Sequence, residues 1–160
     1  MGYYQNSSYR GAPQGRSGQS GGRSGEPPKL PAGYLSSGYY LPAADGGKEL
    51  NPDYILRFPK AIARDLKHPQ ANKSAQLRKF YDYCIRLRDM VRYQGLDFPS
   101  VRAELARLEP FVEYAQKRKR VTQLFTDFIR ENVKAVQSDE DFRAFLKHFE
   151  ALIAYLPKDQ

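Results

Sequence analysis

An all-α fold, a compact bundle of about five helices behind a disordered Gly/Ser/Tyr-rich tail, is predicted by three features of this 160-residue chain. Apolar residues after about position 50 recur at three- and four-residue steps, the spacing of one helix face. No later segment alternates apolar and polar residues long enough to make a strand. The first 47 positions hold 11 of the 12 glycines, 7 serines and 5 prolines, so 23 of 47 are of those three types. Such a stretch buries too little apolar surface to offset a backbone ordering cost of roughly 1–2 kcal/mol per residue. The organisation expected is a tail over residues 1–48 and a helical domain over 49–160. The tail's Tyr3, Tyr4, Tyr9, Tyr34, Tyr39 and Tyr40, with Arg10, Arg16 and Arg23, suit weak base stacking or self-association, or simply a solubilising role.

The helices are justified in order by their start and stop signals. Asn51-Pro52 opens the first, a capping residue followed by proline where the missing N–H costs nothing. Pro59 kinks or restarts it, and His68-Pro69 ends it near Lys67. The second runs from about Lys73 to Gln94, with Leu77, Phe80, Tyr81, Cys84, Leu87 and Val91 on one face and Gly95 as its stop. The third opens at Pro99 with Val101, Leu105 and Leu108 inward. Pro110 interrupts it, and a short continuation carries Phe111, Val112 and Ala115. The fourth presents Val121, Leu124, Phe125, Phe128 and Ile129. Ser138 with Asp141 reads as a capping box for the fifth, which buries Phe142, Phe145, Leu146, Phe149, Leu152, Ile153 and Leu156. Such stripes are buried only against one another, as in a bundle.

Composition narrows the function classes. With 26 Lys+Arg against 18 Asp+Glu the chain carries +8, a field suited to a polyanion, nucleic acid ahead of an anionic membrane. Cys84 stands alone, so no internal disulfide forms, and the N-terminus shows no apolar signal stretch; a cytoplasmic protein is expected. No apolar run reaches membrane-spanning length. His68 and His148 belong to no metal-ligand spacing, Cys84 falls on an apolar stripe, and Gly95 is the lone glycine after position 47, so no phosphate-cradling loop exists there. No catalytic residue, metal or cofactor is expected.

The charge is uneven. Between Arg57 and Arg92 ten basic residues face three acids, a net +7, whereas residues 139–160 carry −2. Lys79 and Arg86 are seven apart on the second helix, away from its core stripe, and Arg78 and Arg92 flank them. Lys117-Arg118-Lys119-Arg120 forms a second cluster. Such cations either track a phosphate backbone or form a solvated face partly neutralised by pairs such as Asp82–Arg86.

Three stretches in order resemble the small subunit of the type III-A CRISPR (Csm) effector complex. Ser74-Ala75-Gln76-Leu77-Arg78-Lys79-Phe80-Tyr81 is similar to that family's S-x-L-R-K-F-Y-like helix start. Leu105 to Arg118 is similar to its L-x-x-L-x-P-x-x-A-Y-A-x-x-R pattern, and Phe145 to Tyr155 resembles its closing helix. Ala75, Glu113, Lys117 and Leu156-Pro157 depart from the pattern. The resemblance implies a non-enzymatic subunit whose copies stack as a filament beside the other Csm subunits, along the crRNA–target RNA duplex. It implies RNA contacts at Arg78, Lys79 and Arg118, to which charge geometry adds Lys73, Arg86, Lys117, Lys119 and Arg120. The competing expectation is a helical adaptor that binds proteins and whose basic face only solubilises it.

Overall fold

Proline and capping residues set the helix boundaries in the computed structural model, which describes residues 25–159. Strands β1 (Tyr40–Pro42) and β2 (Lys48–Leu50) precede a 3-10 turn, Pro52–Tyr54. Six helices follow: α1 (Arg57–Asp65), α2 (Ser74–Gln94), α3 (Phe98–Ala106), α4 (Leu108–Lys117), α5 (Gln123–Ala135) and α6 (Asp139–Tyr155). The all-α bundle is as expected, with the third predicted segment divided into α3 and α4.

That division follows from Pro110. Proline lacks an N–H and its ring crowds the carbonyl four residues back, here that of Ala106. Helix α3 therefore ends at Ala106 and α4 begins at Leu108, which puts Pro110 in an opening turn where no donor is needed. Pro59 sits likewise in the first turn of α1. The Asn51 side chain does cap, accepting from the Asp53 N–H at 3.0 Å, but the turn it starts stops at Tyr54. Gly95 ends α2 with φ of 67°, in the left-handed region. Ser138 Oγ accepts from the Asp141 N–H at 3.1 Å, while the Asp141 carboxylate reaches back to the Gln137 N–H at 3.0 Å. The return bond thus lands one residue before its usual place in a capping box.

Helix α6 packs on α1 and α2, α4 packs on α5, and α3 touches both α2 and α4. The centre is aromatic: Phe125, Phe128, Phe145 and Phe149 are all fully buried. Phe145 and Phe149 stack at 5.7 Å, one turn apart on α6, and Phe128 meets Phe149 at 5.2 Å. Each such ring stabilises the fold by roughly 1.5–3 kcal/mol through burial alone.

The expected disorder up to residue 48 does not hold for residues 25–48; the remainder of that tail, including Tyr3, Tyr4, Tyr9, Arg10, Arg16 and Arg23, lies outside the described residues. Strands β1 and β2 form an antiparallel hairpin in which Tyr40 pairs with Leu50 and Pro42 with Lys48. Tyr39 is 1% exposed and packs edge-on against Tyr54 at 5.3 Å. Averaged composition hides this, because a few tyrosines carry much of the attachment. Tyr39 donates its hydroxyl proton to Asn132 Oδ1 at 2.7 Å, and Asn132 Nδ2 donates to the Tyr34 hydroxyl at 2.7 Å. Tyr34 in turn meets His148 Nε2 at 2.6 Å, and His148 Nδ1 lies 2.6 Å from the Tyr54 carbonyl oxygen. A carbonyl only accepts, so Nδ1 carries the imidazole proton and Nε2 accepts from Tyr34.

Burial holds His148 neutral, its pKa lowered from 6.5 to about 4. An unfolded imidazole takes up its proton near pH 6.5, whereas the folded one resists until about pH 4. The unfolded state therefore binds more protons in that window, and stability falls as pH falls through it, by up to about 3 kcal/mol. Urea unfolding between pH 7 and 4.5 should show this loss. A His148→Gln variant, less stable throughout, should show a flatter profile; a profile parallel to the parent's would reject the assignment.

Candidate nucleic-acid interface

Residues of α2 and α4 line a groove of about 350 Å³, at the small end of ligand-site volumes. Periodicity explains its wall on α2: Gln76, Lys79, Phe80, Tyr83 and Arg86 repeat at three- and four-residue steps. The other wall comes from Phe111 and Tyr114 on α4, over a floor of Leu108 and Ala115. Arg120, just past α4, closes one end. No acidic residue lines this groove, and Lys79, Arg86 and Arg120 form no ion pair among the described residues.

Cations and rings alternate along the seam. The Arg86 guanidinium lies 5.8 Å from the Tyr83 ring, Arg107 lies 5.5 Å from Phe111, and Arg118 lies 5.4 Å from Tyr114. Arg118 also donates to the Tyr114 hydroxyl at 2.9 Å. Tyr83 meets Phe111 edge-on at 5.9 Å and donates its hydroxyl proton to Glu104 at 2.9 Å. Burial, then this bond to a carboxylate, pushes the Tyr83 phenol up to about 12, so the ring stays neutral and its hydroxyl stays a donor.

The loop that presents Arg120 is held from two sides. Lys119 adopts φ of 58°, a conformation usually left to glycine, so that its own N–H reaches Gln116 O at 2.8 Å and the Arg120 N–H reaches Ala115 O at 3.0 Å. Those two bonds form the Schellman ending of α4. From the other side, the Asn72 N–H donates to Arg120 O at 2.9 Å, and the Asn72 side chain both accepts from the Thr122 N–H and donates to Thr122 Oγ1.

Of the eight residues singled out in the sequence, the structure brings Lys79, Arg86 and Arg120 together on the groove, with Arg118 stacked on its Tyr114 wall and Lys119 in the adjoining turn. Arg78 is exposed but points roughly 140° around α2 from the groove. Lys73 lies at the start of α2 beside the C-terminal residues, its Nζ donating to Pro69 O at 3.3 Å. Lys117 turns toward α5 and pairs with Glu113 at 3.1 Å, which holds that carboxyl below its usual range. A second basic hollow comprises Arg57, Lys60, Arg64 and Lys67 of α1 and its end, with Tyr155. Asp53 and Asp65 occupy its two arginines at 3.0 and 2.9 Å.

Sequence reasoning missed Phe111 and Tyr114, which are 43% and 62% exposed. A signal existed: Arg107–Phe111 and Tyr114–Arg118 are spaced i,i+4, the spacing that lets a guanidinium cover a ring on one helix. The other candidate groups have structural occupations. His68 Nδ1 accepts from the Gln70 and Ala71 N–H groups, closing the turn before α2, and burial pushes the Cys84 thiol up to about 12. Among the described residues no cluster of His, Cys, Asp or Glu is disposed to hold a metal, and no helix is long and apolar enough to cross a membrane.

The molecule is thus a helical bundle whose α2–α4 groove gathers cationic and aromatic side chains. The family model for Csm2 of type III-A systems matches residues 49–156, and the chain belongs to that family, the small subunit of the Csm complex. The family is in general a non-catalytic structural subunit that assembles with other Csm subunits. No curated protein and no solved structure matches the chain.

The strained turn makes a stability prediction. A left-handed conformation costs a side-chain-bearing residue roughly 1–2 kcal/mol, partly offset by glycine's greater freedom when unfolded. Lys119→Gly should therefore stabilise the protein by roughly 0.5–1 kcal/mol in urea unfolding. No change or a loss would mean that the Lys119 side chain contributes contacts that compensate the strain.

Proposed function

We propose that the chain is the non-catalytic RNA-binding small subunit of a type III-A CRISPR interference complex in antiviral defence. Several copies stack along the crRNA–target RNA duplex, beside the other Csm subunits in the prokaryotic cytoplasm. The observation that carries this reading is the un-neutralised row Lys79, Arg86 and Arg120 on one groove. A carboxylate within reach would cancel each charge locally, and the nearby Lys117–Glu113 pair illustrates that case. Cations left free attract phosphates and release their counterions, a contribution that carries no base sequence. Arg118 and Lys119 extend the row at its end. Lys73, Arg78 and Lys117, away from the groove, serve as outlying contacts to other stretches of RNA in the assembled complex.

Binding by one copy is weak and salt-sensitive, and tight binding requires several aligned copies. The second reading, a protein–protein adaptor, draws on the exposed Phe111 and Tyr114 rings. Affinity purification of the tagged chain from its native cells separates the two: short CRISPR-derived RNAs with a multi-subunit ribonucleoprotein support the first, and protein partners without RNA sink it. On single-stranded RNA, each phosphate neutralised adds about 0.7 to the log–log salt slope. Replacing Lys79 and Arg86 together by glutamine should flatten that slope by up to about 1.4. Filter binding from 50 to 300 mM salt (roughly the range over which such slopes are resolved) checks this, and an unchanged slope removes the pair from the interface.

A further inference from the structure

We infer that the α2–α4 groove holds one unpaired nucleobase of the RNA against Phe111 and Tyr114, with the flanking phosphates on Lys79, Arg86 and Arg120. This rests on the RNA-binding reading above and adds what part of the RNA the groove takes.

Phosphate tracking needs cations and gains nothing from rings, so a purely electrostatic face leaves Phe111 and Tyr114 unexplained. They are 43% and 62% exposed, on a groove whose lining cations Lys79, Arg86 and Arg120 have no carboxylate partner among the described residues. A groove suited to an apolar protein segment would not be rimmed by three uncompensated cations. One suited to an acidic peptide would not offer ring faces as its wall. Both features fit a ligand that carries a flat π face between two negative charges, which is a nucleotide within a strand. Bases inside an A-form duplex are already stacked and present only their edges, so the base in question is unpaired.

The wall is also preorganised. Tyr83 is fixed by its bond to Glu104 and supports Phe111 edge-on, and Arg118 ties down the Tyr114 hydroxyl. Rings held in place lose little freedom when a base arrives. On the end of the groove, the Asn72 and Lys119 geometry keeps the Arg120 backbone in one position. Because any base offers a π face, the site discriminates unpaired from paired nucleotides and not one base from another.

The test uses the full chain and short unstructured oligoribonucleotides, either carrying 2-aminopurine at one internal position or abasic there with every phosphate kept. The fluorescent base should be quenched on binding. The abasic strand should bind about tenfold more weakly, with the same salt slope, since stacking is not a counterion effect. Phe111→Ala with Tyr114→Ala should lose quenching and about tenfold in affinity for the intact strand, and nothing further for the abasic one. Tyr114→Phe should restore both, which a merely unfolded variant would not do, and circular dichroism checks the fold of each. If Lys79→Gln with Arg86→Gln flattens the slope but intact and abasic strands bind alike, RNA binding stands and the base site is overturned. If neither strand binds with any salt dependence, the RNA-binding reading itself fails and the groove belongs to a protein.

Discussion

A neutral imidazole in the middle of α6 constrains much of this architecture. His148 is wholly buried and must find both an acceptor for Nδ1–H and a donor for Nε2. The acceptor is the Tyr54 carbonyl, which draws the 3-10 turn and the start of α1 onto α6. The donor is Tyr34, which belongs to the segment ahead of the hairpin. Leaving either bond unmade would strand a buried polar atom, at roughly 1–3 kcal/mol. Asn132 on α5 carries the same ladder onward, bonding to Tyr34, Tyr39 and the Phe128 carbonyl. The segment from Tyr34 to Tyr39 is thus a structural part of the bundle, joined to α5 and α6 by polar bonds and to Tyr54 and Phe58 by ring contacts.

How much of this can be read from residues depends on whether the signal is local. Gly95, Ser138 and the two helix-interrupting prolines act within four residues of themselves, and each left a legible boundary. Pro110 shows the limit of that rule: the break falls at Arg107, because the clash is with the carbonyl four residues back. Residues 25–48 were illegible for the opposite reason. Their order depends on Tyr34, Tyr39 and Tyr40 meeting side chains and a carbonyl about a hundred positions away, and no composition window detects that. At the interface, Lys79 and Arg86 could be paired by their heptad spacing alone, whereas Arg120 joins them only through the packing of α4 on α5 and the Asn72 bonds. Phe111 passed for a core residue, since an apolar residue beside Val112 on a helix gives no sign of which of the two faces inward.

Net charge is a poor guide to where this protein is cationic. Arg57, Arg64, Arg88 and Arg107 are each within 3.0 Å of a carboxylate on their own helix or the turn before it, so much of the positive balance is cancelled where it arises. What remains unpaired decides the surface. Among the described residues, Lys79 and Arg86 stay free because no carboxylate lines the α2–α4 groove, and Arg120 because its loop is fixed with that side chain on the groove. The stability of the loop and the electrostatics of the interface are therefore one problem: Asn72 holds the backbone, and the backbone sets where the charge sits.

A row of three free cations is too little for tight binding, and that is consistent with the role proposed. On that proposal each contact with a strand contributes modestly and is eroded by salt, so a single copy would release RNA readily. Copies aligned on one strand convert later contacts into intramolecular ones, raising avidity without any new contact type. A base-stacking element adds a salt-independent increment to every copy and makes the register of copies along the strand matter, because a groove that takes a base is satisfied only where a base is unpaired. Charge alone allows sliding along a phosphate backbone. Charge with a ring-lined slot favours discrete positions, which is the property a repeating scaffold on RNA requires.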